Sequence, residues 1–151
     1  MKIQKTHLDA WRLFLTANAR IVEKIDIRLR DAQQIPLNWY DVLIELHESP
    51  DNRLRMSELA TRVLLTRSGL TRLVDRLEKE KYIVREIDPD DRRGFYAVIT
   101  EAGQEVVKQA WKFYSEGINE YFAQFVSDEE AILLRDVFER MLELPSDSDV
   151  S

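Results

Sequence analysis

With 151 residues, 44% of them apolar, the chain is long enough for one domain with a sizeable core, and its 33% charged fraction suits a soluble, helix-rich fold. No cysteine is present, which excludes disulfides, thiolate metal sites and thiol redox switches. The net charge of -6 argues against a polyanion partner only until its distribution is read: residues 53–96 carry 11 of the 22 Lys/Arg but 8 of the 28 Asp/Glu, a basic centre in an acidic body.

The N-terminal patch WRLFLTA is followed by Ala17-Asn18-Ala19, which has the look of a cleavage site. Arg12 interrupts it and Asp9 precedes it, however, and its apolar positions continue at helical spacing, so it is not a signal-peptide core. Leu8, Trp11, Leu15, Ile21, Val22, Ile25 and Leu29 mark one long helix over residues 6–32. Pro36 suits the first turn of a second helix, to about residue 48, with Leu37, Tyr40, Leu43, Ile44 and His47 on its apolar face. SPDN at 49–52 is a turn. Ser57 is placed to N-cap a short helix, ELATRV, and Thr66 a second, RSGLTRLVDRLEKE.

Two strand-like runs at 82–87 and 95–100 then flank the loop DPDDRRG. Helical spacing returns with Val107, Trp111, Tyr114, Ile118, Tyr121, Phe122 and Phe125. Ser127 and Glu130 fit a capping box for a last helix to about residue 142. No run approaches the ~20 apolar residues that span a bilayer, and the expected location is cytoplasmic.

This order predicts a mainly α fold with a small β-hairpin wing. The two short helices and the hairpin form a winged helix-turn-helix core if they pack together. The terminal helices carry wide aromatic stripes that one small module cannot cover, so a partner is expected, most simply a second copy. On the helix opened by Thr66, Leu70, Leu73, Val74 and Leu77 share the inward face, leaving Arg67, Ser68, Thr71, Arg72 and Arg76 outward or flanking. Such a helix end suits phosphate, Ser68 and Thr71 suit phosphates or base edges, and Arg72 suits guanine. Gly69 in the first turn allows a backbone to approach DNA closely. For Arg76 and Lys79 an ordinary solvated face, paired at i,i+4 with the acids beside them, is the better account, whereas Arg67, Ser68, Thr71 and Arg72 favour DNA.

The loop does not read as a metal site, because two arginines follow its acids at once. For Asp88 and Asp90 a solvated turn begun by Pro89 suffices. Gly94 is expected to permit a sharp return into the second strand. There is no Gly-rich phosphate loop, nucleophile-and-base pattern or metal motif, so neither enzyme activity nor a cofactor is expected.

The segment from Ser57 to Gly103 resembles the DNA-binding core of the MarR family of transcription regulators. The matching features are Leu59-Ala60, Val63, Thr66-x-Ser68-x-x-Thr71-x-x-Val74-x-x-Leu77, the wing DPDDRRG, and VIT-x-x-G ending at Gly103. The element order is similar throughout. The resemblance implies a sequence-specific double-stranded DNA-binding regulator, a homodimeric repressor on a near-palindromic operator, released by a small, often aromatic, ligand. It implies an N-terminal dimerisation helix at 1–35, a winged helix-turn-helix DNA-binding module at 36–100, C-terminal dimerisation helices at 101–144 and a flexible tail at 145–151.

The implied DNA contacts are Ser57, Thr66, Arg67, Ser68, Gly69, Thr71, Arg72, Arg76, Arg92 and Arg93. Arg93 would enter the minor groove and Arg92 meet a phosphate. Asp91, paired with an arginine, and Gly94 would shape the wing. Where the family commonly has Gly-Leu, this chain has Lys81-Tyr82; a left-handed cap at Lys81 would cost ~1 kcal/mol, so a different helix end is expected.

An effector pocket could draw on His7, Trp11, Trp39, Tyr40 and His47, although large aromatics at helical spacing are more often core. Arg85 could meet a carboxylate ligand, or equally Glu86 or Asp75. Two distant histidines give no zinc site. The competing interpretation is a protein–protein interaction module that uses the winged-helix scaffold without specific DNA binding.

Overall fold

A computed structural model of the chain describes residues 1–63 and 65–143, the side chains of Arg67 and Arg92 excepted. The tail expected at 145–151 lies outside the described residues. Helices α1 (Lys5–Asp31) and α2 (Leu37–His47) lead into strand β1 (Arg53–Arg55), α3 (Met56–Arg62) and α4 (Arg67–Lys79). Strands β2 (Ile83–Asp88) and β3 (Asp91–Ile99) follow, then α5 (Glu101–Tyr121) and α6 (Asp128–Leu142). No helix among the described residues is long and apolar enough to cross a membrane.

The core gathers around α4. Leu70, Leu73, Val74 and Leu77 are each 4% exposed or less, the face that the helical period predicts. They belong to one cluster with Leu43 and Leu46 of α2, Leu59 of α3, Ile83 and Ala97 of the sheet and Val107 of α5. Full burial of each leucine is worth about 1.5–3 kcal/mol, so this centre holds itself together.

The sheet has a strand that the sequence pattern does not announce. Its order is β1-β3-β2, antiparallel throughout, with Leu54 opposite Ala97. Three residues are too few to display an alternation, yet Leu54 is 4% exposed and anchors β1 to the core. Because the chain enters α3 directly from β1, the extended residue before the helix is Arg55. Ser57 therefore lies inside the first turn and is not the cap.

Thr66 caps α4 as expected, its hydroxyl accepting from the Gly69 N–H at 3.1 Å. The far end of α4 departs from expectation. Lys81 does adopt the left-handed conformation, at φ 63°. Tyr82 N donates to Leu77 O and Lys81 N to Glu78 O, both at 3.0 Å, the paired bonds of a Schellman end. The Thr100 hydroxyl adds a 2.7 Å bond to Lys81 O. These three bonds outweigh the ~1 kcal/mol strain of a lysine in that region.

Gly103 supports the same corner. A Cβ there would stand 2.4 Å from Tyr82 O and 2.7 Å from Ile99 Cγ1, so only glycine lets α5 start this close to β2. At the last helix Ser127 and Glu130 form the capping box, both bonds present. The terminal helices contrast with the centre. α1 buries only Ile25 and Leu29 over 27 residues, and α6 buries none of its 15.

Candidate nucleic-acid interface

Two walls face each other across a notch of about 350 Å³. One wall is Leu70 and Thr71 of α4 with Ser57 and Ala60 of α3; the other is Asp91, Arg93, Gly94 and Phe95 of β3. Arg55 and Asp88 also line it. The fold thus unites Ser57, Thr71, Asp91, Arg93 and Gly94 from three separate elements. Thr66, Ser68 and Gly69 cluster at the start of α4, where the Thr66 and Ser68 hydroxyl oxygens are 3.3 Å apart. Ser68, Thr71, Arg72 and Arg76 are exposed along α4. Arg67 is the first residue of α4 and Arg92 lies in β3; the roles expected of their side chains lie outside the described residues.

The basic residues divide into two groups. Arg53 pairs with Glu86 at 3.1 Å and its guanidinium lies 4.3 Å from the Tyr96 ring centre. Arg85 pairs with Asp75 and, at 3.2 Å, with Glu78, and lies 4.6 Å from the Phe95 ring centre. Arg55 pairs with Asp88. By contrast Arg72, Arg76 and Arg93 form no ion pair with any described residue. The i,i+4 pairing expected for Arg76 is not made; Asp75 and Glu78 pair with Arg85 instead. Arg72, Arg76 and Arg93 are left facing outward.

The wing carboxylates exchange the roles expected of them. Asp91 forms no ion pair among the described residues; its Oδ1 accepts from the Arg93 backbone N–H at 3.0 Å and orders the tip locally. The arginine partner belongs to Asp88, which is 3% exposed rather than a solvated turn residue. Its Oδ2 lies 2.9 Å from Arg55 Nε as an ion pair, and its Oδ1 accepts from the Asp90 N–H at 3.0 Å. Arg55 Nε also donates to the Tyr96 hydroxyl at 3.1 Å. That bond, then the charge of Asp88, push the Arg55 pKa above its ordinary value.

Gly94 is not a positive-φ hinge, since none of the glycines has positive φ. It provides space instead: a Cβ would stand 3.2 Å from Asp91 Oδ2. Gly69 is likewise tight, with Thr66 Oγ1 at 3.1 Å from a Cβ, so the glycine serves the cap.

The six residues considered for an effector pocket do not converge. Tyr40 and His47 line a groove of about 320 Å³ between α2 and α5, with Ile44, Glu48, Gln104, Val107, Lys108 and Trp111. Trp39 turns away to Tyr82, ring centres 6.4 Å apart. His7 lies with residues 1–4, Trp11 is exposed beside Phe14, and Arg85 is committed on the wing. Trp111 and Lys108 escape sequence inspection because groove membership depends on how α5 crosses α2. Burial, then Tyr114, raises the Tyr40 pKa to about 12, and burial raises that of Tyr114. The neighbouring Asp41 carboxyl is open to solvent on one side, yet crowding by the packed helices, then Glu45, raises its pKa to about 6.

Residues 33–94 match the model of the MarR family. The HTH-type transcriptional regulator YkoM of Bacillus subtilis is 30% identical over 129 residues, 84% of this chain and 80% of that protein. The transcriptional repressor MprA of Escherichia coli is 30% identical over 98 residues, 65% of this chain and 55% of that protein. Among solved structures, Sco3205, a MarR family transcriptional regulator from Streptomyces coelicolor in complex with DNA, superposes with a TM-score of 0.87 at 30% identity, covering 97% of this chain and 94% of the other. These relatives are transcription regulators, not enzymes.

Proposed function

The chain belongs to the MarR family of transcription regulators, and from that premise we propose that it is a cytoplasmic homodimeric repressor of a near-palindromic operator. Each protomer sets α4 in a major groove, with Thr66, Arg67, Ser68, Gly69, Thr71, Arg72 and Arg76 toward the DNA, and inserts Arg93 into the adjoining minor groove. The carrying observation is the notch itself, which holds Thr71 of α4 and Arg93 of the wing on opposite walls. The direction of regulation follows the repressor MprA.

Dimerisation is supported by surface area. A compact monomer of this mass exposes about 8,000 Å², whereas this chain exposes 11674 Å². The excess is enough for one side of an obligate interface, on the order of 1,000–2,500 Å² per protomer. Large apolar side chains are exposed at both ends: Trp11, Leu13, Phe14 and Leu15 of α1 and Ile132, Leu133, Met141 and Leu142 of α6, all at least 45% exposed. A second copy would place two α4 helices ~34 Å apart, one duplex turn. The groove of Tyr40, His47, Lys108 and Trp111 suits a small aromatic acid as effector, with stacking faces and a cation side by side.

Binding of duplex recovered from a random pool, with salt titrated, tests this reading. Affinity should fall steeply as salt rises. Arg93→Ala should weaken binding by ~1–3 kcal/mol with dimerisation unchanged. Equal affinity for recovered and random duplex at every salt concentration would leave a winged-helix protein that does not read sequence.

A further inference from the structure

Resting on that DNA-binding reading, we propose that Arg55 is a phosphate ligand, holding the backbone of the DNA strand that separates the groove read by α4 from the groove entered by Arg93. A strand crossing between these two contacts must pass over the notch. Arg55 lines that notch together with Ser57, Thr71 and Arg93.

Its guanidinium is built to meet a second anion. Both of its polar contacts, to Asp88 and to the Tyr96 hydroxyl, are made through Nε. A guanidinium carries five N–H donors in a planar fork, so the four on the terminal nitrogens have no partner among the described residues. The side chain is 43% exposed while Asp88 is 3% exposed, so the pair has a buried end and an open end.

The Tyr96 ring stabilises the same posture, with Arg53 at 4.3 Å and Arg55 at 5.5 Å from its centre. The two acids at the notch do not compete for the free donors. Asp88 is buried, its Oδ1 taken by the Asp90 N–H and its Oδ2 already paired with Arg55 Nε, and Asp91 Oδ1 is engaged by the Arg93 N–H. A fork fixed in advance loses little freedom when a phosphate arrives, and its paired terminal donors match two phosphate oxygens. Asp88 is the positioning residue that holds Arg55 by one side and leaves the other free.

The test is a scan in which each phosphate of a recovered duplex is replaced in turn by an uncharged methylphosphonate. Wild-type protein should lose about tenfold in affinity at a phosphate lying between the major-groove and minor-groove contacts. Arg55→Gln combined with Asp88→Asn keeps the net charge and a neutral hydrogen-bonding pair; this variant should bind more weakly and show no further loss at that phosphate. Arg55→Lys keeps the ion pair but lacks the fork, and should show a reduced penalty there.

If both variants retain the full wild-type penalty, Arg55 is only a brace for the wing and the proposal is overturned. If the double variant does not fold, Arg55→Lys alone decides between these outcomes. A wild-type scan with no sensitive phosphate would instead remove the DNA-binding reading on which the proposal stands.

Discussion

The middle of the chain and its two ends are built on opposite terms. Between α2 and the start of α5, nearly every apolar position predicted to face inward does so, and α4 alone contributes four side chains of 4% exposure or less. The first four turns of α1 and the whole of α6 have equally regular stripes but no core, with Phe14, Leu133 and Leu142 at 45%, 64% and 85% exposure. Amphipathic spacing in one region therefore reports intramolecular burial, and in the other an unmet need for a partner. Isolated helices of α6's length are marginal in water, so that need is energetic as well as geometric. Under the proposed function this becomes a division of labour: the centre would hold the shape of the DNA-reading notch, and the ends would set the distance between two notches.

The largest expected effect breaks the ends. Phe14→Glu with Leu133→Glu should convert the dimer to monomer in sedimentation and reduce operator affinity about 10²–10⁴-fold through lost bivalency. A double variant that remains dimeric would move the interface elsewhere.

The next effect breaks the centre. Gly103→Ala forces a methyl against Tyr82 O and Ile99, and should lower urea stability by about 1–3 kcal/mol without altering the oligomeric state. Lys81→Gly acts in the opposite direction at the same corner. It removes the strain of φ 63° and should raise stability by ~1 kcal/mol, with DNA affinity unchanged.

The smallest effect sharpens the comparison by pH. Asp41 holds a proton more readily in the folded protein, with a pKa of about 6, than in the unfolded chain at 3.8. Its ionisation therefore opposes folding fully above about pH 6, and the opposition disappears below 3.8. Asp41→Asn should stabilise at neutral pH by less than about 1 kcal/mol after solvent screening, and the gain should fade on acidification. A gain that grows toward acid would show the shift to have the other sign.

Much of this was legible from residue spacing, because helical period and caps are local. Leu70, Leu73, Val74 and Leu77 declare a face by their intervals, and Thr66 and the Ser127–Glu130 box declare helix starts. What spacing could not reveal depends on partners distant in sequence. Asp88 resembles a turn acid beside Pro89, and only its pairing with Arg55, 33 positions earlier, makes it the buried hinge of the wing. β1 is too short to carry a pattern. The left-handed end at Lys81 is tolerated because Thr100 and the Schellman bonds secure it, which no local propensity contains. The aromatic residues considered for an effector pocket scatter because their neighbours are chosen by helix crossing, not by interval.

A hydroxyl-radical footprint of a recovered duplex tests the account most directly. Two copies of a notch that straddles one phosphate ridge should give protection symmetrical about a dyad, with the two half-sites ~10 base pairs apart and a minor-groove patch beside each. Arg93→Ala should erase the minor-groove patches and leave the major-groove protection in place. Protection on one side only, or minor-groove patches that survive Arg93→Ala, would contradict the pairing of α4 and wing on which the function is built.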